Sequence, residues 1–228
     1  MKKIWLLFIS LIALSPQMTK AQSPLNLSQG SGTFINLAGK EDTKGSRYLF
    51  DTWVKGSVTD SKGNVIKNDS YGFNYDKIDG TLLLTEDKQN AIAVSKDAVK
   101  SFTVFDKSGE AITFDYVPDI DPTHFVQVLS AGGKYKIYKL TKTTLVKANF
   151  KSDGMTSSGN KYDEYVDEPL YYVTDMKAGK PQKITLKGKA IKQAFAADAD
   201  RVKQFFADHA DDDINEKFLA GLGGYLNQ

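Results

Sequence analysis

Apolar residues recur at every second position through much of this chain, and that period belongs to strands. Tyr71, Phe73 and Tyr75 alternate with Gly72, Asn74 and Asp76. Ile112, Phe114 and Tyr116 alternate with Thr113, Asp115 and Val117, and Ile184 and Leu186 alternate with Lys183, Thr185 and Lys187. Turn signals separate the runs: residues 60–64, Asp79-Gly80 and Lys107-Ser108-Gly109. Asp79-Gly80 predicts a two-residue type I′ hairpin, in which both positions need positive φ. Further strands are expected over residues 48–58, 81–85, 91–95, 99–106, 134–150 and 170–173, which are rich in Tyr, Phe, Val, Ile and Thr. Within 134–150, Tyr135 and Ile137 share one phase and Tyr138 and Leu140 the other, so this strand either carries a bulge or is buried on both faces.

Two stretches depart from the rhythm. Pro122 followed by Phe125, Val126, Val128 and Leu129 predicts a helical turn packed on the sheet. Residues 152–167 are polar and predict an ordered surface loop. After Gly188 the period changes. Ile191, Phe195, Val202, Phe205 and Phe206 fall at helical spacings, and Phe218, Leu219, Leu222, Tyr225 and Leu226 make one apolar stripe. Asp213 and Glu216, three apart, fit a capping box. Two short helices are expected within about residues 189–228. The fold class that follows is α+β and mainly β: a curved antiparallel sheet or partly closed barrel with C-terminal helices packed on it. Residues 47–228 read as a single domain, preceded by a flexible lead-in or edge strand over 22–46.

The first 21 residues follow a different pattern. Lys2 and Lys3 precede an apolar run over residues 4–14, and Thr19, Lys20 and Ala21 offer a small-x-small exit. The run is about 11 residues, against the roughly 20 that a membrane-spanning helix needs. Residues 1–21 therefore read as a signal peptide cleaved after Ala21, and the chain is expected to be exported, periplasmic or secreted, with no transmembrane segment after cleavage. The chain has no cysteine, which excludes disulfides, thiol nucleophiles and thiolate metal sites. Loss of Lys2, Lys3 and Lys20 leaves 27 basic against 28 acidic residues, a net charge of −1. So neutral a chain lacks the electrostatic pull that nucleic acid or an anionic membrane requires.

Candidate chemistry is sparse. The chain has two histidines, His124 and His209, and no serine in a G-x-S-x-G setting, so a serine triad has no sequence support. The plain readings are His124 as a loop residue and His209 as a helix-end residue favoured by the helix dipole. Calcium, which takes several oxygen ligands, has two acidic runs to choose from: Asp208, Asp211, Asp212, Asp213 and Glu216, or Asp153, Asn160, Asp163, Glu164, Asp167 and Glu168. The first run is explained by helix capping, and the second lies in the expected loop, so Asp153, Asp163, Glu164 and Asp167 are the better candidate metal ligands. No other cofactor is expected. Tyr162, Tyr165, Tyr171 and Tyr172 crowd around the same stretch and are the candidate ligand-binding residues, because tyrosine offers flat apolar area with a polar handle. The competing reading places such tyrosines in the core or at its rim.

Several stretches, taken together, are familiar: residues 72–82 with Gly72, Phe73, Asn74, Tyr75 and Asp79-Gly80; 99–102; 125–129 leading to Gly133, Lys134 and Tyr135; and 163–168 ahead of Tyr171 and Tyr172. They resemble exported β-rich proteins common in Bacteroidota, over most of the chain beyond the signal. The resemblance implies export and a β-rich fold and brings no catalytic residue. The function expected on these grounds is a non-enzymatic envelope or secreted binding or structural module, its partner an unidentified ligand or envelope protein. The alternatives are a carrier of a hydrophobic small molecule and a carboxylate-dependent hydrolase.

Overall fold

The computed structural model describes residues 33–34, 37 and 43–228. The expected signal and most of the 22–46 segment lie outside these residues. Two short strands, β1 (Thr33–Phe34) and β2 (Thr43–Lys44), come first. Next are β3 (Gly56–Asp60), β4 (Val65–Ile66), β5 (Gly72–Asp76), β6 (Thr81–Thr85) and β7 (Asn90–Ala93). They are followed by β8 (Val99–Phe105), β9 (Ala111–Asp115), β10 (Val126–Ala131) and β11 (Tyr135–Val146). The last strands are β12 (Lys151–Ser152), β13 (Ser157–Ser158), β14 (Asp163–Asp175) and β15 (Pro181–Ile184). Three helices end the chain: α1 (Gly188–Ala194), α2 (Ala199–Asp208) and α3 (Glu216–Leu226).

The strands form two main sheets. The smaller has the order β1-β7-β6-β5; the larger has β15-β14-β11-β10-β9-β8-β3-β4, with β2 added in parallel beside β14. The β12–β13 pair forms a separate small hairpin. The sheets are open and do not close into a barrel. The α+β, mainly β architecture with helices packed on the sheet is as the alternation predicts.

Register explains how the layers stack. Directly paired residues share a face, so Phe102, Phe114, Gln127, Lys139 and Tyr171 lie on one face of the large sheet. At the β8–β9 end, the small sheet covers this face with Phe73, Tyr75, Leu82 and Leu84. Phe102 and Phe114 stack at 4.8 Å, and Tyr75 lies 5.8 and 5.4 Å from them. At the β11–β14 end, the helices cover it. Tyr135, Ile137, Tyr171, Val173 and Ile184 meet Ile191, Phe195, Val202, Phe205, Leu219, Leu222 and Leu226. The opposite face holds a third cluster, Val126, Tyr138 and Leu140, under Val117 and Ile120.

β11 is thus buried on both faces near its start, one of the two readings its mixed phase allows. The bulge lies in its neighbour, between Val128 and Ser130 of β10. That shift brings Ser130 opposite Ile137, where α3 approaches so closely that a Cβ on Gly223 would lie 2.5 Å from Ile137 Cδ1.

Six local expectations are corrected. Three helices, not two, end the chain, because a 3-10 turn at Ala196–Asp198 separates α1 from α2. Of the strand expected over 48–58 only residues 56–58 lie in β3, while Tyr48 and Val54 make isolated bridges. The helical turn expected at residues 125–129 is the strand β10: both faces are covered, so apolar residues occupy both phases and mimic helical spacing. The Asp79-Gly80 turn is wider than a type I′ hairpin. Asp76 pairs with Thr81, so Lys77, Ile78, Asp79 and Gly80 make the loop, and of these only Gly80 has positive φ, at 61°. Half of the polar stretch 152–167 is strand: the end of β12, all of β13 and the start of β14 at Asp163. The cap of α3 is Asn215, whose Oδ1 accepts from Phe218 N at 3.1 Å; Asp213 does not cap, because the helix begins one turn-fraction later. Glu216 turns outward from the cap. It accepts from the Tyr171 hydroxyl at 2.7 Å and from Lys139 Nζ at 2.8 Å.

Candidate functional site

A seam runs between the small sheet and the helices on the shared face. It holds a cavity of about 130 Å³ lined in part by Tyr75, Phe114, Phe125, Gln127, Lys139 and Thr141. Lys77 and Asp167 line it, and residues 121–124, next in the chain to the lining Phe125, carry a second polar cluster. Asp121 Oδ1 accepts from Thr123 N and His124 N, both at 2.8 Å, and from Thr123 Oγ1 at 2.6 Å. Its Oδ2 accepts from Lys142 Nζ at 2.5 Å. Burial alone would raise the Asp121 carboxyl; hydrogen bonds from Lys142, Thr123 and His124 outweigh it, and the pKa falls well below the usual range. His124 is a loop residue, as expected, and is buried. Its Nε2 faces the Ile78 carbonyl at 3.2 Å, and a carbonyl only accepts, so this nitrogen carries a proton. Lys77 Nζ and Thr143 Oγ1 both donate to Asp167, each at 2.6 Å. Every one of these groups is committed to a partner in the fold, and the arrangement acts as a clasp between loop, hairpin and sheet.

The four candidate tyrosines are not one site. Tyr171 is buried under α3, and burial together with its bond to Glu216 raises its pKa far above the ordinary value. Tyr172 lies on the opposite face, packed on the third cluster, and burial raises its pKa as well. Tyr165 is half-buried and lies beside Gly45, where an added Cβ would come within 2.9 Å of the Tyr165 carbonyl oxygen. Tyr162 alone of the four is exposed, with the Lys44 ammonium 4.1 Å above its ring.

The four candidate metal ligands are likewise dispersed. Asp153 closes the β12–β13 turn, accepting from Thr156 N at 2.7 Å and Met155 N at 3.0 Å, and the backbone bonds from Thr156 and Met155 lower its pKa. Asp163 accepts from Lys147 Nζ at 2.8 Å and Ala148 N at 2.9 Å. Asp167 is held by Lys77 and Thr143. Glu164 pairs in register with Val146 on the other face of the ribbon. Among the described residues no group of three His, Cys, Asp or Glu side chains is placed to hold a metal ion. The C-terminal acids Asp211, Asp212 and Asp213 border an open groove between α2 and α3, beside His209, whose ring stacks on Phe205 at 4.0 Å.

What stands out is a ribbon. β11 and β14 pair continuously over 12 residues, from Tyr135↔Asp175 to Val146↔Glu164. β10 accompanies β11 only as far as Lys139, and β15 accompanies β14 only from Tyr171 to Thr174. The distal half therefore extends beyond its sheet. One of its faces, with Thr143, Leu145, Tyr165 and Asp167, is partly covered, Thr143 being buried and Leu145 and Tyr165 half-buried. Residues 43–50 bridge from β14, through β2, to the Tyr48↔Asp76 contact beside β5. The other face carries Thr144, Val146, Glu164 and Val166, and it is bare: Val146 is 40% exposed and Val166 42%. Phe150 and Tyr162 extend the exposed apolar surface, and Met155, 95% exposed, tops the β12–β13 turn.

Sequence reasoning named Tyr162 but missed Val146, Phe150, Met155 and Val166. Their signal is apolar residues set singly in a polar stretch, which carries no period until the register is known. No family model, no curated protein and no solved structure matches this chain.

Proposed function

We propose that the chain is an exported, non-enzymatic binding module of the envelope or the extracellular space, and that its contact surface is the bare face of the distal β11–β14 ribbon. The observation that carries this reading is the exposed set Val146, Val166, Phe150 and Tyr162 on a hydrogen-bonded ribbon whose other face is tied to the fold through Thr143 and Asp167. Each such side chain is about 40% exposed, so covering it adds about two-fifths of the roughly 1.5–3 kcal/mol of full burial, and the rest of the contact must supply what association costs. The resemblance to exported β-rich proteins of Bacteroidota and the signal-like first 21 residues support the compartment.

Two observations favour the module over its alternatives. The seam cavity, about 130 Å³, is well under the roughly 300–1,000 Å³ of pockets that take drug-sized ligands, and the larger groove between α2 and α3, about 800 Å³, is open and bordered by Asp211, Asp212, Asp213 and Lys217, a poor lining for a hydrophobic cargo. A carboxylate hydrolase uses an acid with a raised pKa, and the resolved carboxylate shifts here, at Asp60, Asp87, Asp106, Asp121, Asp153 and Asp198, are all downward.

A photo-crosslinking amino acid placed at position 146 or 166 in the native host tests the reading, with position 65 as control, since Val65 is 59% exposed and lies away from the ribbon in β4. Adducts from 146 and 166 but not 65 are expected. Equal yields from all three, or none from the ribbon, would refute it.

A further inference from the structure

The ribbon has two edges as well as a face, and they are unequal. The outer edge of β14 is guarded. β2 occupies it at Asp163–Glu164, Pro169 offers no amide, and Asp167 and Glu168 add charge. Proline and charge are the usual means by which an edge is closed to pairing. The outer edge of β11 has none of these devices beyond Lys142, whose ammonium is held by Asp121 and lies near His124. Residues 143–149 read Thr, Thr, Leu, Val, Lys, Ala, Asn, which is strand-forming and free of proline and acid. Among the described residues no strand pairs with this edge. The ribbon itself continues through the segment, since Asn149 N donates to Asn160 O at 3.0 Å.

We infer that the open β11 edge pairs with the same edge of a second copy of this chain, antiparallel and centred on Val146, joining two ribbons into one four-stranded sheet. The segment is self-complementary in that register. Val146 faces the partner's Val146, Leu145 faces the partner's Lys147, Thr144 the partner's Ala148 and Thr143 the partner's Asn149. No like charges stand opposite one another, which is what an isologous two-fold contact requires. Lys147 is already engaged by Asp163, so its charge is balanced within each copy. The guarded β14 edge stops growth at two copies, which closes the assembly and prevents a filament. An anionic lipid surface fits less well. Lys147, Lys151 and Lys161 are matched by Asp153, Asp163 and Glu164, leaving the distal ribbon without the net charge that attraction needs. Pairing also has a use. Residues opposed across the new contact share a face, so the two bare faces merge into one of double width, the surface assigned above to binding.

Sedimentation velocity of the purified chain over about a hundredfold range of concentration reads the association by mass action, and hydrogen exchange locates it. Dimer is expected at the upper end, with slowed exchange at residues 143–149 and none at 165–170. Val146→Lys and Val146→Glu, at an exposed position, each place like charges across the two-fold and are expected to stay monomeric. An equal mixture of the two is expected to recover the dimer. A wild-type chain monomeric throughout, a Val146→Lys variant that dimerises unchanged, or protection that appears elsewhere would overturn the inference. If the wild type is monomeric yet position 146 still crosslinks to another envelope component, self-pairing falls and the binding face stands. If the edge dimer forms and the face captures nothing, the reverse holds.

Discussion

Replacing Asp121 with alanine would break the clasp at the seam, and the cost follows from what its carboxylate holds. The side chain is 12% exposed and serves two backbone amides, one hydroxyl and one ammonium. Without it the amides of Thr123 and His124 lose their acceptor in a buried loop, and each unpaired buried donor costs about 1–3 kcal/mol. Lys142 adds little to the loss, because its side chain is 34% exposed and can reach water. The total expected is about 3 kcal/mol, which at about 2–4 °C per kcal/mol lowers Tm by about 6–12 °C. Asp121→Asn keeps an acceptor for the amides and gives up only the charge, so a loss of about 1 kcal/mol is expected. The pH dependence has a fixed sign. Asp121 has its pKa lowered by folding, so its stabilisation is present above the ordinary carboxylate pKa and is lost as pH falls through the folded value. The stability gap between wild type and Asp121→Asn should therefore be full above about pH 5 and close as the solution becomes more acidic. Urea unfolding at a series of pH values reads both quantities. An Asp121→Ala variant within about 0.5 kcal/mol of wild type would refute the account of the clasp.

Two further substitutions probe how the layers are joined. Gly80→Ala puts a Cβ 2.2 Å from the Thr123 carbonyl oxygen at φ 61°, so the β5–β6 loop must leave His124; a loss of at least about 2 kcal/mol by thermal denaturation is expected. Asn227→Ala removes the side chain that accepts from Lys134 N and Tyr135 N and donates to Tyr135 O, at 3.1, 2.8 and 2.9 Å. It should cost about 2–3 kcal/mol and speed amide exchange at the start of β11.

Period-2 runs were legible wherever one face of a strand meets the core and the other meets water. Phe114 in β9 and Ile184 in β15 are of this kind. β5 alternates for another reason: its second face is also buried but holds Gly72, Asn74 and Asp76, and the polar groups of Asn74 and Asp76 are taken up by hydrogen bonds. β10 was not legible for the opposite reason. With Phe125 in the inter-sheet core and Val126 in the cluster behind it, both phases are apolar, and a doubly covered strand imitates a helix. The strand character of residues 163–167 was masked by their charge, which guards the edge of β14 and meets a lysine partner: Asp167 answers Lys77, 90 residues away. The clasp was hidden as well. His124 meets Ile78 and Lys142 through tertiary packing alone, and neither is near it in the chain.

The same separation decides how the ribbon should be read. An isolated two-stranded ribbon is at best marginally stable in water, so the distal half of β11–β14 must be held by something. Its partly covered face supplies that. Asp167 binds Lys77 and Thr143, β2 lies along Asp163–Glu164, and residues 43–50 tie the ribbon to β5. None of these contacts uses Val146, Val166 or Phe150. Truncating them to alanine should leave stability within about 0.5 kcal/mol of wild type, the range of surface substitutions away from any buried feature. Residues that the fold does not need, that favour leaving water, and that cluster on the distal ribbon have their energetic return in an intermolecular contact. That is the physical ground for placing the function of this chain on its bare face and not in its seam.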